Sequence, residues 1–93
     1  MMMNDLSMVL VVWHDAHTES DGWCELSDID DQPCVVHTVG LLLPGVKTDH
    51  VVVAQSVTSD DGLDCVLCIP VGMVRSMSVL ASMSESTSGR ASR

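Results

Sequence analysis

The chain has 93 residues and a net charge of −9, with 46% hydrophobic residues but no Phe and no Tyr. A chain this short holds one small domain, and its core must be built from Val, Leu, Ile and Met. The charge excludes ordinary DNA or RNA binding through a basic face, and two tryptophans are too few for a base-stacking platform.

Residues 1–6 read as a frayed terminus, 7–81 as one small β-barrel domain and 82–93 as a disordered Ser-rich tail. Met1 to Asp5 lacks the basic start of a signal peptide, and the apolar run after it is too short to span a membrane. A cytoplasmic protein with no membrane attachment is the expectation. The four cysteines, Cys24, Cys34, Cys65 and Cys68, are then thiols.

Met8 to His14 is the first predicted strand. Val9, Val11 and Trp13 fall on one side of it, and Met8, Leu10, Val12 and His14 on the other. Asp15 to Pro33 is a long acidic connection with turn signals at Asp21-Gly22 and Gln32-Pro33. Trp23, set among its carboxylates, is expected to fold back onto the end of the barrel. Ser27 to Asp31 reads as a single helical turn with Ser27 as its cap.

Cys34 to Leu43 is the second strand. Val35, His37, Val39, Leu41 and Leu43 alternate with Cys34, Val36, Thr38, Gly40 and Leu42. Gly40 marks a bulge or bend of the kind that curls a small sheet. Pro44 to Asp49 turns the chain into a third strand, His50 to Thr58. Ser59-Asp60-Asp61-Gly62 turns it again into a fourth, Leu63 to Ile69. Pro70 and Gly72 break the pairing, and Val74, Met77 and Leu80 follow at a spacing of three, which reads either as a helix over Met73 to Leu80 or as a short helical turn at Pro70 to Met73 that feeds a last kinked strand.

About five short strands with such turns suggest an all-β fold, a strongly bent antiparallel barrel of SH3-like or Sm-like type. An oligonucleotide-binding-type barrel of five strands is the alternative. The first three strands are apolar on both sides. If Val9, Val11, Val39, Leu41 and Val53 point inward, then Leu10, Val12, Val36, Leu42 and Val52 cannot. An apolar stripe left wet marks an interface, so a homo-oligomer is expected. The plainer reading is that the acidic loop covers one side.

Chemistry-bearing patterns are weak. Cys65-Val-Leu-Cys68 and His14-Asp-Ala-His17 have metal-ligand spacing. However, residues three apart on a strand face opposite ways, so two small buried hydrophobes fit Cys65 and Cys68 better. Asp28, Asp30 and Asp31 lack calcium-loop spacing and read as a solvated run. No nucleophile-elbow or phosphate-loop motif occurs, and nothing places Cys24 or Cys34 against His37. The reading is therefore a non-enzymatic protein with no metal and no cofactor.

His14, Asp15 and His17 form the most suggestive polar trio. Lys47 and Arg75 are the basic residues of the domain, each an anion contact or a surface ion pair with Asp49 or the acidic loop. With Trp13, Trp23, Gln55 and Ser56 they make up the expected binding residues. One function they suggest is an acidic module that binds another protein, by nucleic-acid mimicry in its sharpest form. The other is an oligomeric sponge for a nucleotide-like signal, held by Lys47, Arg75 or Gln55.

Trp13, Asp15, Ala16 and Trp23, the run VVHTVGLLLP with Val39 and Gly40, HVVVAQS with Ala54, Gln55 and Ser56, and IPVGMVRSM with Ile69, Pro70 and Val74 form a wider pattern. Over Val9 to Leu80 the chain resembles small accessory proteins of tailed bacteriophages, particularly those of actinobacteria. The resemblance implies a phage product in the host cytoplasm, a setting where small proteins bind and disable host components. It implies no particular activity.

Overall fold

The computed structural model describes residues 6–82. The expected frayed terminus 1–6 and Ser-rich tail 82–93 lie outside them, save for Leu6 and Ser82. Five strands form one antiparallel sheet: β1 (Ser7–Asp15), β2 (Cys34–Leu42), β3 (His50–Val57), β4 (Leu63–Pro70) and β5 (Val74–Ser82). Their order across the sheet is β4-β3-β2-β1-β5. The all-β class and the antiparallel pairing thus follow the sequence reading. The sheet is not closed: no ladder joins β4 to β5.

β1 lies between β2 and β5 and carries the centre of the packing. Its alternation is as read: Val9, Val11 and Trp13 are buried, while Met8, Leu10, Val12 and His14 are half-buried. Directly opposed residues of an antiparallel pair share a face. Val9 opposes Gly40, Val11 opposes Thr38 and Trp13 opposes Val36, so Val36 and Leu42 belong to the main core and Val39 does not. The assumed grouping of Val39 and Leu41 with Val9 is corrected here. Val39 opposes Leu10 on the other face and is 56% exposed.

β2 serves two partners in succession. From Cys34 to Leu41 it pairs with β1, whereas with β3 it shares only Leu41–Ala54 and Leu42–Val53. Gly40 sits where the sheet bends. It is buried, and a Cβ there would lie 3.0 Å from both the Ala54 carbonyl oxygen and the Val53 Cβ. Glycine lets β3 cross close to β2 at this point.

The bend gives the sheet two cores. One joins Val9, Val11, Trp13, Val53 and Ile69; the other joins Leu6, Leu43, Val52 and Ala54. Val52 and Val53 are thus both buried, on opposite sides of β3. Leu6 is 2% exposed, and β5 runs to Ser82.

The turns follow their residue chemistry. Gly45 adopts a φ of +70°, and the β2–β3 connection ends in Asp49 with a φ of +61°. The Val71 N–H donates to the Asp49 carbonyl (2.9 Å), tying this turn to the 3₁₀ turn Val71–Met73 between β4 and β5. In the β3–β4 turn, Thr58 Oγ1 accepts from the Gly62 N–H at 2.8 Å and its hydroxyl donates to Asp60.

Candidate functional site: an acidic arm on the β1–β2 hairpin

The β1–β2 ladder ends on the pair Asp15–Cys34. Everything between them, residues 16–33, projects from the sheet and is exposed. This arm does not fold back. Trp23 is 104% exposed and Leu26 85%, so the expectation that Trp23 caps the barrel end, or that the loop covers one side of the sheet, is overturned. The physical reason lies in the arm's charge, which favours solvent, and in bonds of its own that brace it away from the sheet.

Glu19 is the brace of that bonding. One carboxylate oxygen accepts from the Asp30 backbone N–H at 3.1 Å, spanning the two sides of the arm, and the other meets His17 Nε2 at 2.7 Å. The Asp30 amide first, and the His17 ring second, hold the Glu19 carboxyl below the usual glutamate range. Around Trp23 the Ser20 hydroxyl donates to the Gly22 carbonyl (2.7 Å). The helical turn is a 3₁₀ turn at Leu26–Asp28, with Glu25 at the cap position rather than Ser27. The Glu25 N–H donates to Asp28 Oδ2 at 3.1 Å, and the Asp28 N–H to the Glu25 carbonyl at 2.9 Å. The Gln32 N–H donates to Asp30 Oδ1 at 3.0 Å, closing the base.

The braced arm displays Trp23, Leu26 and Ile29 amid Glu19, Asp21, Glu25, Asp28, Asp30 and Asp31. Exposed apolar side chains this large, rimmed by charge, suit the contact surface of another macromolecule. They offer no nucleophile–base pair. Among the described residues no cluster of His, Cys, Asp or Glu is arranged to hold a metal ion.

The other expected site residues are dispersed. Trp13 is core, and its indole N–H donates to Thr38 Oγ1 at 3.0 Å. The trio of His14, Asp15 and His17 is not assembled. His14 turns to β5, where Arg75 Nε–H donates to its Nδ1 at 3.1 Å, whereas His17 turns into the arm. This His14–Arg75 pairing replaces the expected ion pair of Arg75 with an acid. Alternation could not reveal it, because it depends on β5 lying beside β1. Lys47 is exposed in the β2–β3 connection, and Gln55 and Ser56 are exposed on β3. No hydrogen bond or ion pair among the described residues joins Lys47, Gln55 or Ser56 to His14, Arg75 or Trp23. The sole ion pair within 4.0 Å among the described residues is His17–Glu19.

Cys65 and Cys68 are exposed, contrary to the expectation of buried thiols. Cys68 opposes Val52, and Cys65 adopts a φ of +55°, which withdraws it from regular alternation. Cys24 is exposed and Cys34 half-buried. Cys34 and His37 lie on opposite sides of β2, three residues apart.

The class defined here is a small all-β protein, one open antiparallel sheet bearing a braced acidic arm. Comparison with protein-family models, curated proteins and solved structures finds no match. Among the described residues no helix is long and apolar enough to cross a membrane.

Proposed function

We propose that this protein is a non-enzymatic interaction module. It associates with copies of itself through its sheet and uses the acidic arm to grip another protein. The single observation that carries the reading is Trp23. It is wholly exposed on an arm whose two sides Glu19 bridges, so its presentation requires no ordering at the moment of binding. A tryptophan is the side chain that most often dominates a protein–protein contact. The surrounding carboxylates select a partner with an apolar pocket rimmed by Lys or Arg, and they steer its approach.

A basic surface that accepts such an arm is the kind that accepts nucleic acid, which is the mimicry form of the reading. The resemblance to phage accessory proteins favours a host protein as that partner. The strongly bent sheet and the 3₁₀ turn before β5 support an SH3-like or Sm-like arrangement, one that stays open in the single chain.

The test is affinity capture from a bacterial lysate with three baits: the natural chain, Trp23→Ser, and a chain with the arm's six acids from Glu19 to Asp31 converted to amides. The expected result is a basic partner that high salt or duplex DNA releases and that neither variant retains. Equal capture by all three baits sinks the reading.

A further inference from the structure

The face of the sheet that carries Leu10, Val12 and His14 differs in charge from the rest of the chain. Directly opposed residues share it: on β2, Val39 lies beside Leu10, His37 beside Val12 and Val35 beside His14. On β5, Ser78 lies beside Leu10 and Ser76 beside Val12, small side chains that leave the centre of the face open. Val35 and Val39 remain 47% and 56% exposed. Asp15 is the only acid in β1, β2 and β5, and alternation sets it on the opposite face, with Trp13. These strands therefore bring no carboxylate to the Leu10 face. They bring His14, His37 and Arg75, the last bonded to His14.

The arm is the complement of this face. Trp23, Leu26 and Ile29 are its exposed apolar side chains, set among the six acids from Glu19 to Asp31. The reading above asks of the arm's partner an apolar surface with a basic rim. Leu10, Val12, Val35 and Val39 supply the apolar surface, and Arg75 with the two histidines supplies the rim.

The chain does not close this contact on itself. Its arm leaves the sheet at Asp15–Cys34, the bond from the Asp30 amide to Glu19 braces it, and Trp23 stays wholly exposed. Residues 83–93 are poor cover, since Met83 and Ala91 are their only apolar members. A second copy brings the matching arm.

From these observations we infer that two copies exchange arms: the arm of each lies across the Leu10–Val39 face of the other, Trp23 against the valines and the carboxylates toward Arg75, His14 and His37. Each copy gives one arm and takes one, so the contact is isologous and closes at a dimer. Once the first arm is seated, the second docks at a high effective concentration. The inference deepens the reading above, rests on its account of the arm, and names a second copy as a partner of Trp23 alongside any host protein.

Light scattering coupled to size exclusion tests the exchange on the natural chain, Trp23→Ser and Val39→Glu, with circular dichroism to verify the fold. Both side chains are exposed, so both variants are expected to fold. The natural chain is expected to run as a dimer. Its dissociation constant is expected to rise at least about tenfold between about 0.1 M and about 1 M salt, where the screening length shrinks from about 10 Å to about 3 Å. Each variant alone is expected to run as a single chain. An equimolar mixture of the two is expected to regain a dimer, because the Val39→Glu chain keeps a sound arm and the Trp23→Ser chain a sound face. A natural chain that stays single across a dilution series defeats both the exchange and the self-association in the reading above. Loss of the dimer in Val39→Glu alone means that face meets face. That result, loss in Trp23→Ser alone, loss in neither, a mixture that stays single or a dimer indifferent to salt defeats the exchange and leaves self-association standing. Capture of a host protein by the arm is read in the lysate experiment and is decided apart from these outcomes.

Discussion

Arg75 donates from its Nε–H to Nδ1 of His14, a contact between side chains 61 residues apart that fixes which imidazole nitrogen carries the proton. With Nδ1 accepting, the neutral ring holds its hydrogen on Nε2. Nitrogen NMR of the neutral ring is expected to show that tautomer for His14 and to lose the preference in Arg75→Gln. Arg75 is exposed and His14 half-buried, and the bond lies at the surface, so the coupling measured by a double-mutant cycle is expected at about 0.2–1 kcal/mol.

The Trp13–Thr38 bond spans β1 and β2 at the edge of the core. Thr38→Val keeps the shape and leaves the indole N–H without its acceptor, at an expected cost of about 1–3 kcal/mol in urea denaturation. Trp13→Ala removes the largest side chain of that core and is expected to cost about 3–5 kcal/mol.

Gly40→Ala inserts a methyl group against the Ala54 carbonyl and the Val53 side chain, both at 3.0 Å. Backbone cannot retreat as a flexible side chain can, so a loss of about 1–3 kcal/mol is expected. Gly22→Ala is the control, since a Cβ there meets nothing within 4 Å. Calorimetry on the two variants should separate them.

The brace of the arm depends on pH in a definite direction. The folded Glu19 carboxyl sits below its ordinary range, so its contribution is present above the unfolded value and is lost as pH falls through the lowered folded value. The protection of the Asp30 amide against hydrogen exchange, taken relative to its intrinsic rate at each pH, is expected to fall in that acidic window while the β1 amides stay protected. Glu19→Gln, which cannot ionise, is expected to show no such acid-dependent step.

Much of the scaffold was legible because β-sheet alternation has a period of two and the turns carry their own residue chemistry. Val9, Val11 and Trp13 sorted correctly to one side of β1 on that ground alone. Register was not legible. Whether Val39 or Gly40 opposes Val9 is a one-residue matter, and it moves a whole side of β2 between core and solvent. The bend at Gly40 then allowed Val52 and Val53 both to be buried, which a single enclosed interior forbids.

The site was harder to read for a different reason. Trp23 was expected to seek cover because apolar surface is costly to leave wet. The counterweight is local: Glu19, Ser20 and Asp28 bond the Asp30 N–H, the Gly22 carbonyl and the Glu25 N–H in place, which braces the arm without docking it on the sheet. Arg75 was expected to find a carboxylate, yet strand order set it beside His14 instead. Contacts that depend on which strands are neighbours cannot be read along one strand.

The whole arm leaves and re-enters the sheet through one rung, Asp15–Cys34. A two-residue Asn-Gly turn in its place would preserve the ladder below, and loop closure changes by only about 0.6 kcal/mol for each halving of length. The arm is thus a detachable part of the fold. Residues 16–33 can be lengthened or shortened while the sheet that presents them stays as it is.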